Sequence, residues 1–170
     1  MAATTTAAAS RAADVLRITS TEVSALSFSS SEGTVIADVA LIQPVNSSAS
    51  TIVSIDDGDA SAATSDRVEI SRTASGASQT SIVTAGASQA SISGGSIPQD
   101  TSVRLAAAWK VNDAMASVNG ATIGTDTSVT VPTGLNRINI AGRSATGSGI
   151  ASGHYQRIRV YGKRMTAFPT

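Results

Sequence analysis

The sequence predicts an all-β protein, a two-sheet antiparallel jelly-roll sandwich. Three observations indicate this fold. Short segments repeatedly alternate apolar and polar residues with a period of two, turn signals such as Asn119-Gly120 separate them, and no segment shows a sustained helical period. The apolar residues are largely Ala, Val and Ile, which suit pleated sheets. The 170 residues are enough for one domain with one core.

The first half of the chain supplies an arm and four strands. Residues 1–13 are Ala, Thr and Ser in the main, so we expect an N-terminal arm, followed by the sandwich at 14–166. The predicted strands are 15–19, 34–43, 50–56 and 66–73. The second is apolar on both faces and should be central, covered on both sides. In the fourth we expect Val68 and Ile70 to face the core, and Arg67, Glu69 and Ser71 to face water.

The second half continues the alternation. "GASQTSI" at 76–82 recurs as "GASQASI" at 86–92, which predicts a hairpin. The strand at 102–111 places one set of residues on its core face: Val103, Leu105, Ala107, Trp109 and Val111. A short strand at 114–118 leads into the Asn-Gly hairpin turn, and strands at 136–142 and 155–162 complete the sandwich. Residues 167–170 are expected to be a C-terminal tail.

Composition limits the function. Twelve acidic and twelve basic residues balance, so the chain lacks the positive field of a nucleic-acid or anionic-membrane protein. It has no cysteine, which excludes disulfides and thiolate sites and suits synthesis in a cytoplasm. The opening residues lack the features of a secretion signal, and no apolar run reaches the ~20 residues of a membrane helix. We expect a soluble, unprocessed chain.

Four acidic residues flank the loop between the third and fourth strands: Asp56, Asp57, Asp59 and Asp66. Their carboxylates are suitable ligands for calcium, but the spacing matches no EF-hand loop. Asp-Gly pairs are common turn formers, and we favour that interpretation. Whether the Asp56–Asp66 loop binds calcium stays open at this point, and no metal site is assigned.

No set of residues predicts an enzyme. His154 lies near Ser148 and Ser152, but no carboxylate and no GxSxG elbow accompany it. A glucanase-like site would need two facing carboxylates, and the glutamates form no such pair in the sequence. The glycine-rich stretch at 147–153 precedes a strand instead of a helix, so it predicts no phosphate site. We therefore assign no catalytic residue and no cofactor.

The closing strand carries the candidate binding residues. Ile158 and Val160 should face the core, so Arg157, Arg159 and Tyr161 should face outward. Arginine and tyrosine are enriched at protein interfaces, whereas exposed arginines also keep an edge strand soluble. Both interpretations stay open. A bulge near Gln156 would turn Tyr155 inward.

Several segments carry a resemblance to a known family. "AAAWKVNDAMASVNGA" and "INIAGRSATGSGIASGHYQRIRVYGKRMT" resemble strands of concanavalin A-like, laminin G-like lectin domains. "RAADVLRIT" together with "SIDDG...DRVEI" is similar to the versions of this domain found in tail, fibre and head-associated proteins of tailed bacteriophages. The resemblance covers about residues 11–166. It implies a concanavalin A-like jelly roll that serves as a non-enzymatic virion module.

From this resemblance we expect a structural protein on the virion surface, assembled in the host cytoplasm. A head decoration or a short spike or fibre subunit fits the short chain, with the arm docked on capsid or tail proteins. A closed homo-oligomer such as a trimer is the expected state. The alternative is a carbohydrate- or receptor-binding module of a tail fibre, with a glycan of the host surface as ligand.

Overall fold

The fold is a β-sandwich, as predicted. The computed structural model describes residues 16–25, 31–45, 48–59, 64–143 and 149–169. The predicted arm at 1–13 lies outside these ranges. Within them the elements are β1 Leu16–Ile18, α1 Ser20–Ala25, β2 Glu32–Leu41, β3 Ser50–Asp56, β4 Arg67–Arg72, β5 Ala77–Thr84, β6 Ala87–Ser96, β7 Ser102–Lys110, β8 Asp113–Val118, β9 Ala121–Asp126, β10 Arg137–Ile140 and β11 Gly153–Tyr161.

Two antiparallel sheets form the sandwich. One has six strands in the order β1-β10-β3-β4-β5-β6, and the other has five in the order β11-β2-β7-β8-β9. Every paired neighbour in the two sheets is antiparallel. Branched aliphatic residues from both inner faces meet in one core, with Ile52, Ile70 and Ile138 from one sheet and Val35 and Leu105 from the other. The outer face of each sheet points away from this core.

Strand β2 is buried on both faces, as its sequence predicts. Residues 33–39 are all buried, although only alternate ones reach the core between the sheets. Thr34, Ile36 and Asp38 point to the outer face of the five-stranded sheet and are also buried. A further layer therefore covers this outer face.

That layer includes the C-terminal strap, which we define as residues 162–169. The Thr34 hydroxyl donates to the Lys163 carbonyl at 2.8 Å and accepts from the Met165 N–H at 2.9 Å. The Arg104 guanidinium reaches the Pro169 carbonyl at 3.4 Å. Because Ile36 and Ala106 occupy the row between Thr34 and Arg104, the strap crosses the apolar part of the outer face.

Ion pairs fix the strap beside these hydrogen bonds. Lys163 Nζ lies 2.7 Å from Glu32 Oε1, and Arg164 pairs with Asp113. The hydrogen bond from Lys163 holds the pKa of the Glu32 carboxyl below its usual value. Since Lys163 is exposed and Glu32 is only half-buried, this pair contributes little to stability.

A short helix follows β1, in a segment for which the sequence analysis predicted no element. Helix α1 begins after Thr19, and Glu22 accepts hydrogen bonds from the Thr19 N–H at 2.8 Å and from the Thr19 hydroxyl. Thr19 and Glu22 thus form a capping box, a T-x-x-E signal that a search for helical periodicity misses. These bonds lower the pKa of Glu22. No helix in the described part of the chain is long and apolar enough to cross a bilayer.

Trp109 lies in the core, as predicted from its parity in β7. The side chain is fully buried, and its ring lies against Gly33 on the paired strand, where an added Cβ would come within 2.5 Å of Cζ2. The prediction that Val111 shares this face is wrong, because Val111 is 59% exposed. Strand β7 ends at Lys110, and the turn at Asn112, which has a positive φ of 56°, moves Val111 out of the alternation.

Candidate functional site

The outer face of the six-stranded sheet is polar and largely buried. The expectation that Arg67, Glu69 and Ser71 face water is wrong, since Glu69 is only 2% exposed and Ser71 is also buried. The alternation itself is right, because Val68 and Ile70 lie in the core. Parity identifies the face of a strand but does not say whether water or protein covers that face.

Glu69 is the centre of this face. Its carboxylate accepts two hydrogen bonds from Arg143, from Nε at 2.7 Å and from Nη2 at 2.8 Å. The Thr51 hydroxyl donates to Oε1 at 2.9 Å, and Arg67 Nε lies 3.5 Å from Oε2. A bidentate arginine pair fixes the position of both groups. The network therefore holds the Arg143 guanidinium in one orientation.

A second network continues across the same face. Asp56 accepts from Arg137 Nε at 2.7 Å and from Asn139 Nδ2 at 2.6 Å. The Asn139 carbonyl oxygen in turn accepts from Arg17 Nε at 3.0 Å. Cross-strand pairing explains why the two networks are adjacent. Arg17 pairs with Asn139, Asn139 with Ser54 and Ser54 with Glu69, so these residues form one row across four strands. The two networks together place three arginines against the two carboxylates, and Arg17 joins them through the Asn139 amide.

A cavity of about 220 Å³ opens at the Glu69 network, and we call it the polar cleft. Its lining residues come from β3, β4, β5 and the segments flanking them: Ala49, Ser50, Thr51, Glu69, Ser71, Gln79, Ser81, Arg143 and Gly149. Most of these side chains are hydroxyl, amide or charged groups. None is aromatic, so a ligand here would be held by hydrogen bonds and charge instead of ring stacking.

Arg143 and Gly149, from the described segments 141–143 and 149–151, form one wall of the cleft. Thr51 N–H donates to the Gly149 carbonyl at 2.5 Å, and Thr51 forms a parallel bridge with Ile150. Ala141 N–H donates to the Ile52 carbonyl at 2.9 Å on the other side. Gly149 has a positive φ of 66°, a conformation that favours glycine. These bonds tie both ends of the loop to β3, which places Arg143 over Glu69.

One hydroxyl group in the cleft has no hydrogen-bond partner among the residues that the structure describes. Ser50 is 2% exposed, and its Oγ makes no hydrogen bond with the described residues. Buried hydroxyl groups without a partner are uncommon, and a bound ligand or water satisfies them in many proteins. Ser50 is therefore an unused donor and acceptor at the wall of a cavity.

Two guanidinium groups, those of Arg67 and Arg143, lie beside the Glu69 carboxylate. The hydrogen bonds that Arg143 donates to Glu69 raise the pKa of Arg143. Burial lowers the pKa of Arg67, and the nearby positive charge of Arg143 lowers it further. Both guanidinium groups stay protonated at neutral pH. The two charged lining residues, Arg143 and Glu69, balance each other. Arg67 lies beside Glu69 without lining the cleft, and the charges of both Glu69 and Asp56 act on it.

The three predicted binding residues lie on the opposite side of the sandwich. Arg157, Arg159 and Tyr161 occupy the outer face of the five-stranded sheet, paired with Asp38, Ile36 and Thr34 of β2. Arg157 Nε donates to Asp38 at 2.8 Å, and Tyr161 is 39% exposed. The structure thus brings the three residues onto one face, away from the polar cleft. Their role in binding a partner stays a prediction.

The expected bulge in β11 is present. The register shifts between Tyr155 and Arg157, which leaves Gln156 as the extra residue. Tyr155 therefore packs against the core, and its hydroxyl donates to the Ala151 carbonyl at 2.9 Å. Burial raises the pKa of Tyr155 well above its usual value. His154 is exposed at the start of the strand.

The aspartates of the β3–β4 loop organise the backbone. Asp57 accepts from the N–H groups of Asp59 and Asp66 at 3.0 and 3.1 Å, and Asp66 accepts from the N–H of Ala85 at 2.6 Å and of Thr133 at 3.2 Å. These bonds agree with the turn interpretation. Among the described residues, no group of three acidic or histidine side chains is placed to hold a metal ion.

Solved structures share this architecture. The chain matches a CBM40 domain of the Ruminococcus gnavus IT-sialidase, bound to α2,3-sialyllactose, with a TM-score of 0.67 and 14% identity over 80% of this chain and 78% of that one. The chain has the fold of this CBM40 domain. No family model and no curated protein matches the sequence.

Whole sialidases contain a similar domain. The Streptococcus pneumoniae NanB sialidase matches with a TM-score of 0.71 and 17% identity, over 90% of this chain but only 25% of that one. The Trypanosoma rangeli sialidase, in complex with sialic acid, matches with a TM-score of 0.60 and 14% identity, over 79% and 21%. A CBM40-like sandwich is consistent with a concanavalin A-like fold, and nothing in these comparisons points to a virion protein.

Sequence reasoning did not find the polar cleft. The glycan-binding alternative involves the loop around residues 144–152, but the sequence analysis did not single out Arg143 or Gly149, and it expected Glu69 to face water. One signal was available, because "DRVEISR" places Arg67 and Glu69 on one face of β4. The partners from β3 and from the 141–151 segment are distant in sequence, so their approach follows from the fold.

Proposed function

We propose that this protein is a glycan-binding module and that the polar cleft binds an acidic sugar. The observation that carries the proposal is a cavity whose wall combines the fixed Arg143 guanidinium with the unpartnered, buried Ser50 hydroxyl. Hydroxyl, amide and guanidinium groups pair with sugar hydroxyls and carboxylates. The CBM40 domain of similar fold was solved with sialyllactose, which supports this ligand class.

The proposal favours the alternative function derived from the sequence over a purely structural role. It involves no catalysis, because the cleft offers charge and hydrogen bonds but a single carboxylate, Glu69, which is already bound by Arg143 and Thr51. A pair of carboxylates would be needed for glycoside hydrolysis of the ordinary kind. The ligand is therefore held and released unchanged.

A glycan array with sialylated, uronate-containing and neutral glycans tests this function. We expect saturable binding of acidic glycans, loss of binding in Arg143→Ala, and a reduction of roughly threefold to tenfold in Ser50→Ala, the loss of about one hydrogen bond. Ser50→Ala removes a group that no described residue bonds, so its stability should match that of the wild type.

Arg159→Ala is the matched control, because Arg159 lies on the other outer face. It should bind as the wild type does. The absence of binding to every glycan, or binding that survives both Arg143→Ala and Ser50→Ala, would overturn the proposal. Thermal unfolding of each variant separates loss of the site from loss of the fold.

We also propose, from the sequence resemblance alone, that the module is displayed on the surface of a tailed-phage virion. Quantitative mass spectrometry of purified particles tests this location. Many copies per particle would indicate a capsid decoration, and few copies would indicate a spike or tail subunit. Absence of the chain from the particles would reject the location and leave glycan binding untouched.

A further inference from the structure

A second cavity lies on the opposite outer face, where the bulge of β11 meets β2 and β7. It has a volume of about 260 Å³ and is lined by Asp38, Ser102, Val103, Arg104, Asn119 and Gln156. We call it the bulge cavity. Sites for drug-sized ligands are usually ~300–1,000 Å³, so this one has room for a single sugar residue or side chain.

The bulge directs side chains at this cavity. Because the register shifts between Tyr155 and Arg157, Tyr155 enters the core while Gln156 lines the cavity. Arg157 follows on the same outer face and donates from Nε to Asp38 Oδ2 at 2.8 Å. Arg157 does not itself line the cavity, but its bond to the lining carboxylate of Asp38 places its guanidinium group next to the cavity. Bulges are frequent next to functional sites, where they redirect side chains in this way.

Hydrogen bonds fix the donors around the cavity. Arg104 Nε donates to Asp38 Oδ1 at 2.6 Å, which holds this carboxylate beneath the opening and lowers its pKa. The Arg104 N–H donates to Asn119 Oδ1 at 2.8 Å. The oxygen of the Asn119 amide is thereby occupied, so its NH₂ group is the side that remains to contact a ligand.

Arg157 supplies an unused cationic donor. Its side chain is 47% exposed, and no described residue accepts a hydrogen bond from its two terminal nitrogens. A guanidinium group presents such nitrogens in a planar fork that matches a carboxylate. Together with the Asn119 amide and the Ser102 hydroxyl, the rim offers N–H and O–H donors to an acceptor-rich ligand.

We propose that the bulge cavity is a second ligand site, which binds the carboxylate of an acidic sugar residue between Arg157 and Asn119. The amide of Gln156 and the hydroxyl of Ser102 contact the sugar hydroxyls. The site does not depend on the polar cleft, because the two lie on opposite outer faces of the sandwich. The protein then binds two sugars at once, one on each face.

The test is an NMR titration of the full chain with D-glucuronate, with D-glucose as the neutral probe. Glucuronate should shift the signals of Gln156 and Asn119 in a saturable way, and glucose at the same concentration should not. In Arg157→Ala the affinity should fall at least fivefold. Asp38 keeps Arg104 as its partner in this variant, so the fold is retained.

Two controls make the result specific. Arg159→Ala removes an arginine from the same strand and face whose cross-strand neighbour is Ile36 instead of the lining residue Asp38, and it should leave the shifts unchanged. Arg143→Ala removes the polar cleft and should also leave them unchanged, which separates this site from the proposed function. Gln156→Leu should weaken binding without affecting stability.

Three outcomes would overturn the inference. The first is the absence of any glucuronate-induced shift at Gln156 or Asn119. The second is that glucose produces the same shifts as glucuronate. The third is binding of a hexaglutamate peptide through Arg157 without any binding of glucuronate, which would identify the face as a site for acidic protein segments instead.

Discussion

Trp109 is the residue on which the core depends most. It is the largest of the fully buried side chains and the only tryptophan. Gly33 lies opposite it on β2 and leaves room for the ring, since any Cβ there would collide with it. A glycine inside a strand usually weakens it, but here the position is explained by the close approach of an aromatic ring.

Replacing Trp109 with alanine should destabilise the protein by ~3–5 kcal/mol, because the change leaves a large cavity in a packed core. Urea unfolding measures this difference. Val111→Ala is the control, since the alternation of β7 places Val111 beside Trp109 but the structure leaves it exposed. This variant should change stability by less than about 0.5 kcal/mol. Equal effects of the two substitutions would show that the strand end is misplaced.

Among the elements, β11 shows how one extra residue changes the use of a strand. Its bulge directs Tyr155 inward and leaves Arg157 and Arg159 on the outer face. Tyr155 then contributes a buried phenol whose hydroxyl bonds to the Ala151 carbonyl. The closing strand therefore contributes both to the core and to the rim of the bulge cavity.

Burial of Tyr155 makes stability depend on alkaline pH. The raised pKa means that the folded protein keeps the phenolic proton at pH values where the unfolded chain has lost it. The stabilisation is complete below the ordinary tyrosine pKa of about 10 and decreases as the pH rises above it. From pH 9 upward, over roughly two pH units, the stability of Tyr155→Phe should fall less steeply than that of the wild type.

Chemical denaturation at a series of pH values measures this dependence. Tyr161→Phe, at the exposed end of the same strand, is the control and should follow the wild type. Identical slopes for Tyr155→Phe and the wild type would contradict the buried state of Tyr155. At neutral pH the lost hydrogen bond should cost Tyr155→Phe about 1 kcal/mol.

Local signals allowed most elements to be predicted. The bounds of β3 at 50–56 agree with its alternation, and the Asn119-Gly120 turn has the two positive φ angles that its sequence predicts. Long-range contacts were not accessible in this way. The burial of Glu69 depends on Arg143, 74 residues away, and the path of the strap depends on Thr34, 131 residues before Met165. Periodicity contains no information on such partners.

At the scale of the whole molecule, the two outer faces have different characters. The six-stranded sheet carries a connected network of charged and hydroxyl groups, whereas the five-stranded sheet has an apolar strip crossed by the strap. The polar cleft and the bulge cavity share no lining residue. Substitutions in one should therefore leave the other intact, because distant sites act independently.

The double burial of β2 has a consequence for how the sheet aligns. The register of a strand with one solvent-exposed face is fixed, because a shift of one residue would expose its apolar side. Strand β2 is apolar on both faces, so this constraint does not fix its register. Asp38 is the one charged residue within the buried part of the strand, and it must meet Arg104 on one neighbour and Arg157 on the other. Any slip of β2 would leave this carboxylate unpaired among aliphatic side chains. The same aspartate that shapes the bulge cavity thus also fixes the alignment of the five-stranded sheet.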